Sequence, residues 1–451
     1  MKKFRSIGMV CLLTAVLSFF NSCKKETVDV TELLNTVPSS SAGVMVFNLE
    51  GMLEDMGCKV NGHEIKPGKE VLQMIDNSST ADKETLNMIF NGDTGIEPKG
   101  AVVFYDSNRA YLTFALCDVK KFCEFIEMKQ GSTFRDETDN VKVCGKIAVR
   151  GSQAWVCLTS GKNVDADGIV SYSKLLPSQS FLTTPMGEKL LVEENDIRGW
   201  AIINTFFNDI LTRSERNVAT LGLGFIFESA DAVSFKMDFD EGEIEAEAMI
   251  LNDKGKPAKY LLSSDKIDVN TLKSLGETCD AMMSFTVNSK LIKKFDQLGS
   301  LMGGALFGDL GDMFKNIDGT VGIVSGGGDM EESINGVITT KGDLNKMFKD
   351  FISNNYAPIK EDGKLMRFAK GEVKGNLTIE ECSEALKGSC VGLIFDATGL
   401  KGMGYDNPIP MNYKWMAIKL KPESGGLEME LEIKTQSPKE NALLSIIKGK
   451  N

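Results

Sequence analysis

Histidine is almost absent from this chain of 451 residues, and His63 is the only one. A single imidazole cannot supply a zinc site built from several histidines, nor more than one Ser-His-Asp triad. We expect His63, in a polar turn, to be an exposed loop residue. The sequences G-x-S-x-G, H-E-x-x-H and Walker A do not occur either. These absences argue against metallohydrolases and nucleotide hydrolases, and no motif asks for a metal or a cofactor.

Basic residues are outnumbered, with 51 Lys and Arg against 63 Asp and Glu and a net charge of −12. An acidic surface repels phosphate backbones, so nucleic acid is not an expected partner. Ten cysteines are too few to act as a disulfide framework in a chain of this length. The content of 42% hydrophobic and 25% charged residues is that of a folded globular protein with a sizeable core.

The first 22 residues have the pattern of a signal peptide. A basic start is followed by an apolar stretch over about 7–20, which is too short to cross a hydrocarbon core of about 30 Å. The junction Ser22-Cys23 resembles a bacterial lipobox, and with the following Lys24-Lys25-Glu26 it is similar to lipoproteins of the Bacteroidota. That resemblance implies an acylated Cys23 that anchors the chain to a membrane. We expect a signal peptide over 1–22, a tether over 23–37 and a cell-envelope, outer-membrane location, with the periplasmic and surface leaflets both open.

Four sequence blocks recur in the same order in the two parts of the chain. Each is an alternating strand pattern, a helix pattern or both. The paired blocks are 43–49 with 281–287, 115–126 with 338–352, 200–204 with 392–396, and 243–262 with 427–444. The recurrence predicts a tandem duplication with a first half over 38–265 and a second half over 266–451.

Strand patterns of period two with helices between them, and no regular βαβ spacing, indicate the α+β class with mainly antiparallel sheets packed with helices. In its lipobox, its strand-helix blocks and its duplicated layout, the mature chain resembles the Bacteroidota envelope lipoproteins grouped as domain of unknown function 4836. The motifs of that family are apolar patterns. The resemblance therefore implies a fold and a location, and transfers no active-site residue.

One hairpin pattern, over 233–250, is strongly acidic. A turn at Glu241-Gly242 would place like charges opposite each other on one face, at a cost of a few tenths of a kcal/mol per pair. The four acids of this face are Asp238, Asp240, Glu243 and Glu245. In the second half, the corresponding face pairs Lys419 and Lys421 with Glu430 and Glu428. The unbalanced first-half face could bind a divalent cation or a basic partner, or could simply be solvated.

Carboxylates are the only abundant side chains with catalytic potential. The pairs that a hydrolase could use come from Glu193, Glu194 and Asp196, or from Glu380 and Glu381. Two such carboxyls facing each other about 5 to 10 Å apart in a deep cleft would favour an enzyme. The first hypothesis is nevertheless a lipid-anchored, non-enzymatic binding or scaffold module for a protein or glycan partner. A carboxylate-based envelope hydrolase is the alternative.

Two cysteines lie on the same face of a predicted hairpin. With a turn at Arg150-Gly151, Val149 pairs with Ser152, and counting outward brings Cys144 opposite Cys157 in a non-hydrogen-bonded position. Cα atoms there approach closely enough for a bridge, and an oxidising envelope favours one. The pattern predicts a disulfide between Cys144 and Cys157, and two free thiols are the alternative if a longer loop shifts the register.

Overall fold

The computed structural model describes residues 30–448 except for gaps at 62–63, 78, 107, 211, 263, 289–315, 328–332, 344–345, 363, 403–412 and 424. The predicted signal peptide, Cys23 and His63 lie outside the described residues. The chain divides into two compact units. Unit 1 comprises residues up to Leu211 together with Ala232–Glu241, and unit 2 comprises Thr212–Asp231 and the chain from Gly242 onward.

Unit 1 contains helices and strands in alternation. Its helices are α1 (Val30–Asn35), α2 (Leu49–Asp55), α3 (Lys69–Asn77), α4 (Thr80–Asn91), α5 (Val119–Gln130), α6 (Ala166–Tyr172), α7 (Pro185–Val192) and α8 (Ile203–Ile210). Its strands are β1 (Gly43–Phe47), β2 (Lys59–Asn61), β3 (Glu64–Lys66), β4 (Ile96–Asp106), β5 (Arg109–Leu116), β6 (Arg135–Asp136), β7 (Lys142–Cys144), β8 (Ile147–Arg150), β9 (Gln153–Cys157), β10 (Ile197–Ile202) and β11 (Ala232–Asp240).

The sheet of unit 1 is antiparallel and has the order β6-β7-β8-β9-β5-β4-β1-β10-β11. Strands β2 and β3 form a separate hairpin. The first strand, β1, therefore lies between β4 and β10. Its alternating sequence sends Val44 and Val46 to one face, and both side chains are fully buried there.

The core of unit 1 lies on the Val44 face of the sheet. Side chains of β1, β4, β5, β8 and β9 pack against α1, α6, α7 and the turn at Phe181. The residues with the largest side chains in this core are Phe104, Tyr111, Trp155, Tyr172 and Phe181. The rings of Phe104, Tyr111 and Tyr172 contact one another with centroids 5.4 to 5.7 Å apart.

Helix α1 shows that the tether predicted over 23–37 extends too far. Leu33 and Leu34 of α1 and the following Val37 are fully buried in the core of unit 1. Burial of these three apolar side chains stabilises the fold, whereas the side chains of a solvated tether would stay in contact with water. The prediction is wrong from Val30 onward, and residues 23–29 lie outside the described residues.

Unit 2 begins with a helix and a strand that precede the predicted boundary at 265. Its helices are α9 (Arg213–Ile226), α10 (Val269–Lys273), α11 (Lys346–Asn355), α12 (Ile379–Ala385), α13 (Ala397–Gly402) and α14 (Ala442–Lys448). Its strands are β12 (Glu243–Leu251), β13 (Thr278–Cys279), β14 (Ala281–Val287), β15 (Ile317–Ser325), β16 (Ile334–Thr340), β17 (Ala357–Asp362), β18 (Leu365–Lys370), β19 (Leu377–Thr378), β20 (Val391–Phe395), β21 (Tyr413–Glu423) and β22 (Gly426–Thr435).

The sheet of unit 2 is also antiparallel, in the order β17-β18-β16-β15-β14-β20-β21-β22-β12. Strands β13 and β19 pair separately. The compact units do not divide at 265–266, because β12 pairs with β22 over seven residues. One face of the sheet packs on α10 and α12, and the other carries a second apolar cluster that includes Ile352 of α11.

Both units combine a large antiparallel sheet with helices, so the predicted α+β class is confirmed. Within the described residues, no helix has the length and the apolar character needed to cross a membrane.

A glycine faces a phenylalanine across neighbouring strands in each unit. In unit 1, Gly199 of β10 pairs with Phe235 of β11. In unit 2, Gly336 of β16 pairs with Phe368 of β18, and a Cβ atom at Gly336 would lie 2.0 Å from the Phe368 ring. The ring of Phe368 is buried and packs on Tyr356 with a centroid distance of 5.1 Å. The ring can therefore make room only by displacing a second aromatic side chain.

We expect Gly336→Ala to destabilise the protein by about 1–3 kcal/mol, because the added methyl group overpacks the space that the Phe368 ring fills. Gly342→Ala is the matched control, since its Cβ would meet no atom closer than 3.8 Å and its φ is not positive. Urea unfolding monitored by circular dichroism measures both variants. Equal midpoints for Gly336→Ala and the wild type would contradict the packing argument.

Candidate functional site

A pocket of unit 1 lies on the face of the sheet opposite its core. It has a volume of about 230 Å³. The residues that line it belong to β1, β4, β10, β11 and α8, and they include Gly43, Met45, Tyr105, Ala201, Thr205 and Phe235. None of the described residues that line it carries a carboxylate, a thiol, an imidazole or a basic group.

Small residues on the central strands create this pocket. Gly43 of β1 lies directly opposite Ala201 of β10 and Tyr105 of β4. Residues directly opposite each other in an antiparallel sheet present their side chains to the same face. Because Gly43 has no side chain and Ala201 only a methyl group, the space between Tyr105 and Phe235 stays unfilled.

A second feature of unit 1 is a buried carboxyl group. Asp196, directly before β10, is only 5% exposed. Its Oδ2 accepts a hydrogen bond from the Phe239 N–H at 2.8 Å, and its own N–H donates to Oδ1 of Asp238 at 3.2 Å. Asp196 also shares a side-chain hydrogen bond with Asp55, at the end of α2.

Burial raises the pKa of Asp196 to about 7, against an ordinary value of 3.8. The charges of Asp55 and Asp238 act in the same direction, while the hydrogen bond from Phe239 opposes the shift. The pKa of the exposed Asp55 is also raised, mainly by desolvation, although its bond with Asp196 lowers it. Asp196 holds a proton and donates it in a hydrogen bond to the Asp55 carboxylate, which explains why this bond raises the pKa of Asp196 and lowers that of Asp55.

The four acids of the predicted acidic face lie in different units. Asp238 and Asp240 belong to unit 1, where Asp238 accepts a hydrogen bond from the Asn195 amide at 2.5 Å. Glu243 and Glu245 belong to unit 2. Asp238 is therefore tied to the loop before β10, and Asp240 is exposed.

Glu243 and Glu245 lie beside Glu432 of β22. One carboxylate oxygen from each lies within 4.8 Å of the others, which is close enough for a shared cation. Lysines form ion pairs with the acids of this cluster. Lys434 pairs with Glu243, and Lys419 lies 2.5 Å from Glu432. Burial would lower the pKa of Lys434, but its ion pairs with Glu243 and Glu432 raise it. The cluster is therefore a mixed network of charges, and it gives no independent indication of a cation.

The predicted pairing in the second-half hairpin is confirmed. Lys419 lies opposite Glu430, and Lys421 lies opposite Glu428. Lys419 and Glu430 are almost fully buried, at 3% and 6% exposure, and form an ion pair. Burial raises the pKa of Glu430, but the ammonium groups of Lys419 and Lys421 lower it below its ordinary value.

The carboxylates proposed for a hydrolase do not meet in a cleft. Glu193 forms an ion pair with Lys189 at 3.6 Å. Burial lowers the pKa of Arg198, and the negative charges of Glu193 and Glu194 oppose this shift. Glu380 reaches Lys273 at 3.4 Å.

Glu381 has a structural role. Its Oε1 accepts bonds from Lys414 at 2.6 Å and from the Trp415 indole at 2.9 Å. Asp196 has a raised pKa, but its carboxyl partner, Asp55, is hydrogen-bonded to it and not held across a gap.

The predicted disulfide between Cys144 and Cys157 requires a register that the structure does not have. The hairpin closes at Gly151-Ser152, with Arg150 opposite Gln153, and the chain turns a second time at Gly145-Lys146. Cys144 therefore lies opposite Ile147, and its thiol contacts Gln130 Oε1 and the Ser132 carbonyl. Cys157 lies opposite Tyr111, and both cysteines are free. The predicted register is wrong because two glycines with positive φ, Gly145 and Gly151, allow two tight turns in place of one.

Sequence reasoning missed the pocket and the role of Asp55. Asp55 and Asp196 are 141 positions apart, and no local pattern brings them together. The signal for the pocket was present in the glycines and alanine of β1 and β10, but only the register shows that Gly43 and Ala201 face each other.

Comparisons with known proteins give little. No family model and no curated protein matches the chain. Among solved structures, crystal forms III, IV and I of TP0453 are similar at 10%, 12% and 9% identity, with TM-scores of 0.29, 0.30 and 0.28. The matches cover 78%, 48% and 80% of this chain and 96%, 79% and 97% of the respective structures. At these TM-scores the likeness carries no argument about fold or function.

The raised pKa of Asp196 predicts a pH dependence of stability. Since the folded pKa of about 7 exceeds the ordinary 3.8, the folded state binds this proton more tightly than the unfolded chain does. Stabilisation from this group is complete below about pH 4 and is lost as the pH rises through 7. It amounts to about 4 kcal/mol at most.

We expect Asp196→Asn, which resembles the protonated acid, to remove most of this dependence and to be more stable than the wild type at pH 8. Urea midpoints between pH 4 and pH 8 measure the effect. Asp136→Asn is the control, because Asp136 is an exposed acid of the same unit. A variant at position 196 whose midpoint falls as steeply as that of the wild type would show that Asp196 is ionised throughout.

Proposed function

We propose that this chain is a lipid-anchored protein of the cell envelope that binds a protein partner and catalyses no reaction. The observation that carries the binding role is the pocket beside Gly43 and Ala201, which is apolar and has no catalytic group among its described lining residues. The anchor rests on the Ser22-Cys23 lipobox pattern. An outer-membrane location, in either leaflet, is part of the same proposal.

The size of the pocket supports one inserted side chain. An apolar cavity of about 150 Å³ accommodates a benzene ring, whereas pockets for whole small molecules begin at about 300 Å³. The 230 Å³ present here suit one large aromatic or aliphatic side chain. A glycan would need several hydrogen-bonding groups, and the described lining offers only the hydroxyls of Tyr105 and Thr205. We therefore favour a protein over a glycan as the partner.

The two units support the proposed duplication and the resemblance to the family of domain of unknown function 4836. In each unit the first long strand, β1 or β14, lies between the next strand of the main sheet and a strand from much later in the chain. Three of the four recurring blocks fall on corresponding strands of the two units, namely β1 and β14, β5 and β16, and β10 and β20, and each strand of the last two pairs is followed by a helix. The fourth pair, 243–262 and 427–444, lies wholly in unit 2. If an experimental structure showed different neighbours for β1 and β14, the duplication would have to be abandoned.

The acids Asp238 and Asp240 add a proposed attraction for a cation or for basic groups of a partner. They lie on β11 with Phe235 of the pocket, but at positions of opposite parity and therefore on the other face of the strand. Contact with these acids would be separate from insertion into the pocket and would weaken with increasing salt.

A carboxylate hydrolase remains the alternative, and the proton shared by Asp55 and Asp196 is the observation that favours it. Aspartic dyads share a proton in the same way. Against it, Asp196 is 5% exposed and its second oxygen is bound by the Phe239 N–H. Cleavage of envelope peptides or glycans by the wild type that is lost in Asp196→Asn would favour the hydrolase over the binding module.

Replacing Cys23 by Ser tests the anchor. We expect the wild type in the membrane fraction of cells and Cys23→Ser in the soluble fraction, because the acylated thiol is gone. Cys58→Ser is the control, since Cys58 is a buried cysteine of unit 1 far from the lipobox. A Cys23→Ser protein that stays membrane-bound would rule out this anchor.

Filling the pocket tests the binding role. We expect Ala201→Phe to reduce the yield of a crosslinked, co-purified partner at least about tenfold, because the ring occupies the space that a partner side chain needs. Leu176→Phe is the control, since Leu176 is 61% exposed and lies outside the pocket. Equal partner yields from both variants, with equal urea midpoints, would exclude the pocket as the binding site.

A further inference from the structure

Two cysteines of unit 2 meet in its core, although they are 103 positions apart. The sulfur atoms of Cys279 and Cys382 are 3.8 Å from each other. Both residues are 0% exposed and belong to one apolar cluster with Leu272, Met282 and Ile379. Among the described cysteines this is the one contact between two sulfur atoms that the structure records.

Regular structure fixes both cysteines. Cys279 is in β13, opposite Leu377 of β19. Helix α12 begins directly after β19, where the Thr378 side chain accepts a hydrogen bond from the Glu381 N–H at 3.2 Å, and Cys382 lies one turn into the helix. The chain at Gly375 packs so closely on the Cys279 backbone that a Cβ there would lie 2.0 Å from the carbonyl carbon of Cys279. The approach of the two sulfurs is thus a consequence of the fold and does not depend on exposed, mobile side chains.

Metal binding does not explain the pair. A structural zinc or iron–sulfur site needs four ligands. The described residues offer no third thiol, imidazole or carboxylate that forms a cluster with these two sulfurs. Two thiols in contact, with no further ligand, have the composition of a disulfide in its reduced form.

We propose that Cys279 and Cys382 form a disulfide when the chain folds in the presence of a disulfide donor. The sulfurs must approach from 3.8 Å to about 2.05 Å, a movement within reach of side-chain rotation. In the cell, the donor is a dithiol oxidase of the envelope, and for that oxidant the inference rests on the proposed location.

The chemistry is two thiol–disulfide exchanges. One thiolate attacks the donor disulfide and forms a mixed disulfide, and one donor thiolate leaves. The second cysteine then displaces the other donor sulfur and closes the bond between Cys279 and Cys382. Two electrons and two protons pass from the cysteine pair to the donor, whose disulfide becomes a dithiol.

Complete burial sets the order of events. Because both thiols are 0% exposed, a donor cannot reach them in the folded unit. The bond must therefore form before the core of unit 2 closes, and once formed it is shielded from reductants. It would enclose β14 to β19 in one covalent loop, and it would fasten the segment before β14 to the helix before β20, which is the neighbour of β14 in the sheet.

Peptide mapping after refolding tests the pair without any mutation. The full mature chain is reduced in urea, refolded with oxidised and reduced glutathione, then unfolded again in urea for alkylation so that buried thiols react, and digested with trypsin. We expect a disulfide-linked product of peptides 274–290 and 375–387, and an alkylated Cys390 in peptide 388–401. Circular dichroism shows whether the chain has refolded to the native structure. A refolded chain in which Cys279 and Cys382 are both alkylated, or in which Cys390 is disulfide-linked as often as Cys382, would overturn the proposal.

Stability provides the second measurement. We expect the oxidised wild type to unfold at a temperature roughly 5–15 °C above that of the reduced protein, because the cross-link restricts the unfolded chain. The double variant Cys279→Ala/Cys382→Ala should melt at the same temperature whether it is refolded with oxidised glutathione or with reductant, and Cys390→Ala should behave like the wild type. Cys390 is a matched control as a buried cysteine of the same unit. A wild type whose melting temperature is the same in both redox states would contradict the inference.

The state of the pair in cells separates this inference from the proposed function. Thiols are trapped by acid and alkylation in intact cells, and membrane and soluble fractions are mapped separately. A linked pair in the membrane fraction supports both. A reduced pair in a membrane-anchored protein would overturn the disulfide in the cell and leave the anchor intact. A soluble, reduced protein that still forms the bond in glutathione would overturn the location and retain the disulfide.

Discussion

The pairing of one early strand between two others determines most of the structure in each unit. The backbone of β1 is bonded to β4 on one side and to β10 on the other, and that of β14 to β15 and β20. A central strand has no free edge, so its peptide groups are satisfied by its neighbours. Residues from distant parts of the sequence therefore meet near the ends of these strands.

Buried carboxyl groups at the ends of these strands follow from that pairing, and the two units satisfy them differently. In unit 1, the pairing of Phe47 with Ile197 brings Asp196 to the end of β1, next to α2 and Asp55. A shared proton relieves the repulsion there. In unit 2, Asp280 precedes β14 and Asp396 follows β20. The amide of Asn376 donates to Asp280 at 3.4 Å and to Asp396 at 2.7 Å. In unit 2 an amide therefore lies between the two carboxyl groups, whereas in unit 1 the two carboxyl groups are bonded directly to each other.

Local patterns in the sequence were sufficient for some of these features and not for others. The alternation of apolar residues predicted strands and the α+β class. The predicted pairing of Lys419 with Glu430 was right, because one hairpin with one turn fixes every pair in it. The same reasoning failed at Cys144 and Cys157, where a second turn at Gly145-Lys146 divides the predicted strand. The contact between Asp55 and Asp196 and that between Cys279 and Cys382 depend on tertiary pairing across 100 positions or more, which no local period encodes.

A comparison of the central strands indicates why we assign binding to unit 1. The first residue of β1, Gly43, faces Ala201, and the space above them forms the pocket. The first residue of β14, Ala281, faces Phe395, which is 4% exposed. A large ring therefore fills the position in unit 2 where unit 1 has only a methyl group.

The buried charges of unit 2 form ion pairs within the unit, as Lys419 does with Glu430 and Glu432. A buried ion pair of this kind is weak evidence for added stability but a strong constraint on register, since breaking it leaves an unpaired charge at a cost of about 3–5 kcal/mol. The internal groups of unit 2 thus serve its own fold. In unit 1, an unfilled apolar space remains beside Gly43, and the proposed binding role rests on this space.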